Sequence, residues 1–253
     1  MLKRLPWWSK DKTAAGLQKD VAAYCGHKEI ERLFQVSTAI DAVVFAAYDE
    51  DVIDTTHLTT EERCTLERQW SRDELLVATG RIGVLCKHLR ALKFLLYGDH
   101  QCLTINLLLK THAKMMEGET CAGMIRTGPV HSGNYTFLQA DRIIERLVFT
   151  IEQANACKAC DDDTIYDKVA KVFYDFVCIH PYEDGNGRIG RLIVSYIMLQ
   201  SGKIKFPLPF YDGSKRSRQH YQYTISHFTR MNEPWTMLGL YVLDCVYTAW
   251  KNI

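Results

Sequence analysis

Residues 180–191 read His-Pro-Tyr-Glu-Asp-Gly-Asn-Gly-Arg-Ile-Gly-Arg. A stretch with helical periodicity ends near Cys178 and another begins near Gly187, so we predict a loop that leads directly into a helix. Glycines at a helix start let backbone N–H groups approach an anion closely, and the helix dipole adds favourable partial charge there. The segment therefore predicts a phosphate-binding loop at a helix N-terminus.

Charged side chains around this loop complete a site for a metal-bound triphosphate. Arg188 and Arg191 are three residues apart and share one helix face, where guanidinium groups can bind phosphate oxygens in bidentate geometry. Asp184 is placed to hold Mg²⁺, which binds one or two carboxylates together with substrate phosphates. His180 titrates near physiological pH, as a general base should. Each feature alone is common, but together they predict phosphoryl or nucleotidyl transfer.

The rest of the chain shows mainly the period of helices. The predicted helices cover residues 29–48, 60–69, 73–97, 187–202, 215–230 and 235–250, and apolar stripes within residues 105–116, 143–151 and 165–176 mark three more. Residues 125–136 contain turn formers and few helix formers, which predicts a short hairpin between two helices. We therefore predict a mainly α helical bundle with a short β-hairpin.

The composition argues against nucleic-acid and membrane partners. Lys and Arg total 31 and Asp and Glu total 30, a balance that gives no basic field for nucleic acid. The longest apolar run, residues 192–199, is far shorter than the ~20 residues of a membrane helix, and no signal-peptide stretch follows Met1. The nine cysteines show no disulfide framework. We expect a cytoplasmic protein, or one delivered into a host cytoplasm.

Residues 180–191 resemble the signature of the Fic family (filamentation induced by cyclic AMP), His-Pro-Phe-x-Asp/Glu-Gly-Asn-Gly-Arg-x-x-Arg, with Tyr182 in place of the usual Phe. The resemblance extends over roughly residues 75–230 and includes the family's flap, a hairpin that docks the target segment. It implies a Fic domain with C-terminal helices over residues 71–253, after an N-terminal helical extension at residues 1–70. The implied flap residues are Pro129, Val130, His131 and Ser132.

This resemblance implies a protein adenylyltransferase that uses ATP and Mg²⁺. His180 would deprotonate a Ser, Thr or Tyr hydroxyl of a target protein, and Asp184 would hold Mg²⁺ between the α- and β-phosphates. Attack at the α-phosphorus would release pyrophosphate and leave AMP on the target. Relatives that act as kinases carry Lys at the position of Gly187, so the glycine favours AMP transfer.

The resemblance also implies a set of nucleotide-binding residues. The loop and the helix start would form the anion hole, Asn186 would also reach the α-phosphate, the two arginines would hold the β- and γ-phosphates, and a tyrosine would line the nucleoside pocket. These residues are Gly185, Asn186, Gly187, Arg188, Arg191 and Tyr221.

Several alternatives remain open at the level of the sequence. The motif recognises phosphates rather than the base, so UTP, GTP or CDP-choline are alternative donors, and a non-catalytic nucleotide- or partner-binding module is another reading. A homodimer or a regulatory partner is also compatible with the sequence. The inhibitory motif of many relatives, Ser/Thr-x-x-x-Glu-Gly/Asn, has no match here. We therefore expect weak or absent self-inhibition, with a contact of Asp41 to Arg191 as the alternative.

Overall fold

The computed structural model describes residues 14–27, 32–132, 135–160, 164–210 and 235–251. Within these ranges the chain is mainly helical, which confirms the predicted fold class. The α-helices are α1 (Ala14–His27), α2 (Arg32–Asp49), α3 (Thr60–Trp70), α4 (Gly80–Tyr97), α5 (Ile105–Met115), α6 (Ile143–Ala156), α7 (Ile165–Ile179), α8 (Asn186–Gln200) and α9 (Trp235–Lys251). Two short 3₁₀ turns, Ala140–Arg142 and Cys157–Ala159, flank α6.

Helix α8 forms the centre of the bundle. Every residue from Asn186 to Met198 is buried, and a helix that is buried on all sides lies within the core. Helices α2, α4, α5, α6 and α7 all contact it. Because the predicted phosphate loop leads into its first turn, the loop is fixed to the most enclosed element of the fold.

Helix α7 carries the chain to this loop. The five residues of its predicted apolar stripe are all buried: Ile165, Val169, Val172, Phe173 and Phe176. The stripe packs α7 between α8 and α9, so both ends of the loop are held by packed helices.

One helix begins later than predicted, and another helix was not predicted. Helix α4 begins at Gly80 rather than at residue 73, because the buried side chain of Gln69 binds the Glu74 carbonyl and the Leu76 amide and holds this stretch outside the helix. Helix α1 was not predicted. Its buried apolar residues Leu17 and Val21 form a stripe too short for helical periodicity to be recognised in the sequence. The predicted helix at 215–230 lies outside the described residues.

A small hairpin lies between α5 and α6. Strand β1 (His131–Ser132) pairs antiparallel with β2 (Tyr135–Thr136), and His131 lies opposite Thr136. The Phe137 amide donates to the Val130 carbonyl over 3.1 Å and extends the pairing. At the base of the hairpin, the Arg126 amide donates to the carbonyl of Pro181 over 3.0 Å. The hairpin is therefore attached directly to the phosphate loop.

None of the helices that the structure describes has both the length and the apolar character needed to cross a lipid bilayer.

Candidate active site

The backbone of His180 ends α7 and starts the loop. This residue has φ 51° and ψ 60°, in the left-handed region, and its amide donates to the Phe176 carbonyl over 3.0 Å. Pro181 follows, and a proline disfavours the right-handed helical conformation of the residue before it. A non-glycine residue in this region costs roughly 1–3 kcal/mol, which the surrounding contacts must offset.

The imidazole of His180 has the properties of a general base. Its Nδ1 lies 3.3 Å from the Val177 carbonyl, and because a carbonyl only accepts, Nδ1 carries the proton and Nε2 keeps a free lone pair. The ring stacks on Phe137 with 3.8 Å between ring centroids. Burial lowers the pKa of His180 below its ordinary value of 6.5, so the ring is neutral near pH 7.

Asp184 provides a carboxylate at the outer side of the loop. Its side chain is 59% exposed, its Oδ2 accepts from Arg188 Nη2 over 2.8 Å, and its Oδ1 accepts from the Gly185 amide over 2.6 Å. Within the described residues, no three His, Cys, Asp or Glu side chains form a metal-binding group. A lone carboxylate fits Mg²⁺, which takes its other ligands from phosphates and water, and does not fit a closed structural site.

The first turn of α8 is the candidate anion-binding element. Gly185 is its N-cap with φ 80°, and no side chain caps this end, so the first amide groups lack intrahelical acceptors. The left-handed φ favours glycine at this position, and a methyl group on Gly185 would also lie 2.7 Å from Met115 Cε. Asn186 departs from the implied phosphate contact, because its side-chain oxygen and nitrogen bind the amide and carbonyl of Tyr182, both over 2.9 Å. The side-chain amide of Asn186 instead holds the two ends of the loop together through these two hydrogen bonds with the backbone of Tyr182.

His112 holds the loop from the opposite side, a role that the sequence analysis missed. Its Nδ1 accepts from the Gly123 amide over 2.9 Å, so Nε2 carries the proton and donates to the Asp184 carbonyl over 3.1 Å. The ring also stacks on Tyr182 with 3.9 Å between centroids. Burial lowers the pKa of His112, which preserves this neutral form. A histidine on the buried face of a predicted helix was the available signal.

Arg126 joins the hairpin to the end of α7. The side chain is buried and donates to four backbone carbonyls: Gly128 and Leu138 in the hairpin, and Ile179 and His180 at the helix end. The bond to the His180 carbonyl is 2.6 Å long. One guanidinium therefore sets the position of the hairpin relative to the candidate base.

Arg191 is bound by two acids from the C-terminal end of α2. Its Nη1 lies 2.9 Å from Glu50 Oε1 and its Nη2 lies 3.1 Å from Asp49 Oδ2. A methyl group on Gly187 would lie 2.0 Å from Glu50 Oε1, so this carboxylate lies directly over the start of α8. The predicted alternative partner was wrong, because Asp41 pairs with Arg63 at 3.3 Å.

The sequence did contain a signal for this contact. Asp49, Glu50 and Asp51 follow one another at the C-terminal end of α2, where the helix dipole disfavours negative charge. Acids in this position need a cation, and Arg191 supplies it.

The structure thus brings most of the predicted site residues together around the first turn of α8. These residues are His180, Asp184, Gly185, Asn186, Gly187, Arg188 and Arg191. The hairpin residues Pro129 and His131 are exposed and Val130 is half-buried, and Phe137 connects the hairpin to the base. Ser132 is in strand β1, and Tyr221 lies outside the described residues.

Comparison with known families identifies the segment that holds this site. Residues 102–198 match the sequence model of the Fic/DOC family. This segment is similar to a Fic domain. The matched range runs from just before α5 to near the end of α8, so it includes the hairpin, the loop and the arginine pair, while Asp49 and Glu50 precede it.

Curated relatives match the Fic domain rather than the length of their own chains. Protein adenylyltransferase fic-1 from Caenorhabditis elegans is 32% identical over 118 residues, as is its counterpart from Caenorhabditis briggsae. Each match covers 44% of this chain and only 23% of the relative. A Fido domain-containing protein from Dictyostelium discoideum is 23% identical over 130 residues, or 51% of this chain and 90% of that protein.

Solved structures share the fold of the Fic domain. A fragment of Fic-1 from C. elegans superimposes with a TM-score of 0.70 at 20% identity, over 94% of this chain and 70% of that chain. A Fic family protein from Desulfovibrio desulfuricans gives a TM-score of 0.71 at 17% identity, over 99% of this chain and 76% of that chain.

Proposed function

We propose that this chain transfers AMP from ATP to a Ser, Thr or Tyr hydroxyl of a target protein and releases pyrophosphate. The observation that carries the proposal is that a neutral imidazole, His180, starts the loop that leads into an uncapped helix N-terminus with two buried arginines. The names of the nematode relatives support the same chemistry.

In this reaction His180 acts as the base. Its free Nε2 accepts the proton as the hydroxyl oxygen forms a bond to the α-phosphorus, and the bond from that phosphorus to the β-phosphate bridging oxygen breaks. The amide groups at the start of α8 stabilise the charge on the phosphates. Asp184 would hold Mg²⁺, which supplies charge neutralisation of the triphosphate. Arg188 must release Asp184 before it can bind phosphate.

The described conformation is a resting state of this proposed enzyme. Asp49 and Glu50 already occupy Arg191, so a triphosphate must displace them before its terminal phosphates can bind there. Self-inhibition is therefore part of the proposal, in contrast to the expectation from the sequence, where only Asp41 was considered.

Labelled nucleotides test the proposed transfer. The parent chain and the variants His180→Ala and Glu50→Ala are incubated with ATP labelled at the α- or the γ-phosphate. We expect protein to be labelled by α-labelled ATP only. Glu50→Ala should be labelled more strongly than the parent chain. The double variant with Glu50→Ala and His180→Ala should not be labelled. His57→Ala, which removes an exposed imidazole outside the site, is the matched control.

Three outcomes would contradict the proposal. Label from the γ-position indicates a kinase, undiminished labelling without His180 removes the proposed base, and labelling only with UTP, GTP or CDP-choline in parallel reactions identifies another donor. If none of these donors labels protein even in the Glu50→Ala chain, the binding-module reading holds.

Removal of AMP is a second candidate function, and the position of Glu50 favours it. Its carboxylate lies over the start of α8, where it could orient a water molecule for hydrolysis of a modified protein. Automodified Glu50→Ala protein, isolated free of nucleotide, serves as substrate for the unmodified parent. Release of AMP by the parent, and not by fresh Glu50→Ala chain, supports this function, while unchanged label on the substrate refutes it.

A further inference from the structure

A pocket of about 400 Å³ lies beside the hairpin and is lined in part by Phe137. Residues 136–139 form one wall, and Arg146, Asp175, Cys178 and Ile179 form the rest. This volume is within the range of small-ligand sites, although here it is open to solvent. It is large enough for one amino-acid side chain.

Phe137 places this pocket next to the reacting centre. Its ring stacks on His180 at 3.8 Å and also lines the pocket. An extended chain advances about 3.3 Å per residue. A target segment that lies along the hairpin with its hydroxyl at His180 therefore brings a side chain one or two residues away to the pocket.

The charges around the pocket favour an acidic occupant. Asp175 is already paired with Lys171. Within the described residues, no carboxylate forms an ion pair with Arg146, since its neighbour Glu145 pairs with Arg142 at 2.8 Å. Arg146 is exposed at the pocket and lies over the ring of Phe149 at 5.9 Å. An unpaired guanidinium is complementary to a carboxylate.

We propose that this pocket binds a Glu or Asp side chain of the target, one or two residues from the modified hydroxyl, and that Arg146 selects it. The inference rests on the proposed transfer reaction and adds a substrate preference to it. Such a contact at an exposed site is expected to change labelling by about twofold to fivefold.

An oriented peptide library tests this preference. Each peptide has Ser, Thr or Tyr at its centre and Glu, Gln or Lys at one of the two positions on either side. Labelling from α-labelled ATP is measured with the Glu50→Ala chain, alone and combined with Arg146→Gln or Arg146→Glu. At one of these positions, we expect peptides with Glu to be labelled faster than peptides with Gln or Lys. Arg146→Gln should abolish this preference. Arg146→Glu should reverse it, so that peptides with Lys are labelled fastest.

Arg72→Glu is the matched control, because Arg72 lies between α3 and α4, is exposed, and does not line the pocket. It should leave the peptide preference unchanged, and thermal melting of all variants shows whether they fold. Equal labelling of Glu and Lys peptides, or a preference that Arg146→Glu does not shift, overturns the proposal.

Automodification in the same reactions separates this proposal from the transfer reaction itself. A chain that labels itself but none of the peptides overturns the pocket proposal alone. A chain that labels neither itself nor any peptide refutes the proposed function, and the pocket proposal falls with it.

Discussion

Tyr182 shows what a single departure from the family signature does to the site. Its ring stacks on His112 as an aromatic residue should, but its buried hydroxyl has no hydrogen-bond partner in the described structure. The usual phenylalanine would make the same ring contact without an unpaired polar group.

We expect Tyr182→Phe to raise the free energy of unfolding by about 1 kcal/mol, because a buried hydroxyl without a partner costs roughly 1–3 kcal/mol. Urea denaturation measures the change. Tyr196→Phe is the matched comparison, since that hydroxyl is also buried and unpaired. A loss of stability in Tyr182→Phe would mean that its hydroxyl has a partner, such as a bound water molecule.

At the scale of the elements, two contacts control the site: the hairpin held by Arg126 and the end of α2 held by Arg191. Both join a segment distant in sequence to the phosphate loop or to α8. In each case a buried guanidinium makes the connection, so the loss of one side chain should affect a whole element.

Arg126→Lys should loosen the hairpin, because an ammonium group cannot reach four carbonyls in the geometry of a guanidinium. We expect KM for protein acceptors to rise and the free energy of unfolding to fall by about 2 kcal/mol, while ATP affinity changes little. Steady-state labelling, nucleotide titration and denaturation measure these quantities. Arg142→Lys, at an exposed site, is the control, and an unchanged KM in Arg126→Lys would contradict the assigned role.

Glu50→Ala should increase automodification by roughly tenfold, which corresponds to about 1.4 kcal/mol of competition at Arg191. The reason is that the variant frees one of the two carboxylate contacts with this guanidinium. Initial rates with α-labelled ATP measure the effect. Asp41→Ala is the matched control, because Asp41 pairs with Arg63; an equal gain from both variants would mean that Glu50 does not act through Arg191.

At the scale of the whole molecule, three histidines tie the stability of the fold to pH: His88 and His112 are buried and His180 is half-buried. Burial is the largest cause that lowers the pKa of His88, His112 and His180. His88 is fully buried on α4, and both of its ring nitrogens lack partners within the described structure. All three rings therefore have to stay neutral when the chain folds.

Acid should consequently destabilise the protein. Below about pH 6.5 the unfolded chain binds protons on these rings that the folded chain does not, so the free energy of unfolding falls as pH decreases, by up to about 1.4 kcal/mol per pH unit for each ring. Urea denaturation between about pH 7.5 and 5.5 measures the slope. His88→Leu should reduce it, and an unchanged slope in that variant would show that His88 does not contribute.

The sequence by itself determined which side chains share the candidate site. His180, Asp184, Arg188 and Arg191 were predicted because they lie within one turn-and-helix segment, and local spacing fixes which groups share a loop or a helix face. The mainly α class followed in the same way from apolar periodicity. The start of α4 could not be predicted, because Gln69 binds the backbone there through a tertiary contact.

Only the tertiary structure decided how the site is held and occupied. His112, Arg126, Asp49 and Glu50 act on residues between 53 and 142 positions away along the chain, and no local pattern specifies such pairs. Packing of α2, α4 and α5 around α8 brings them together, because a buried guanidinium or imidazole must find its partners wherever the fold supplies them.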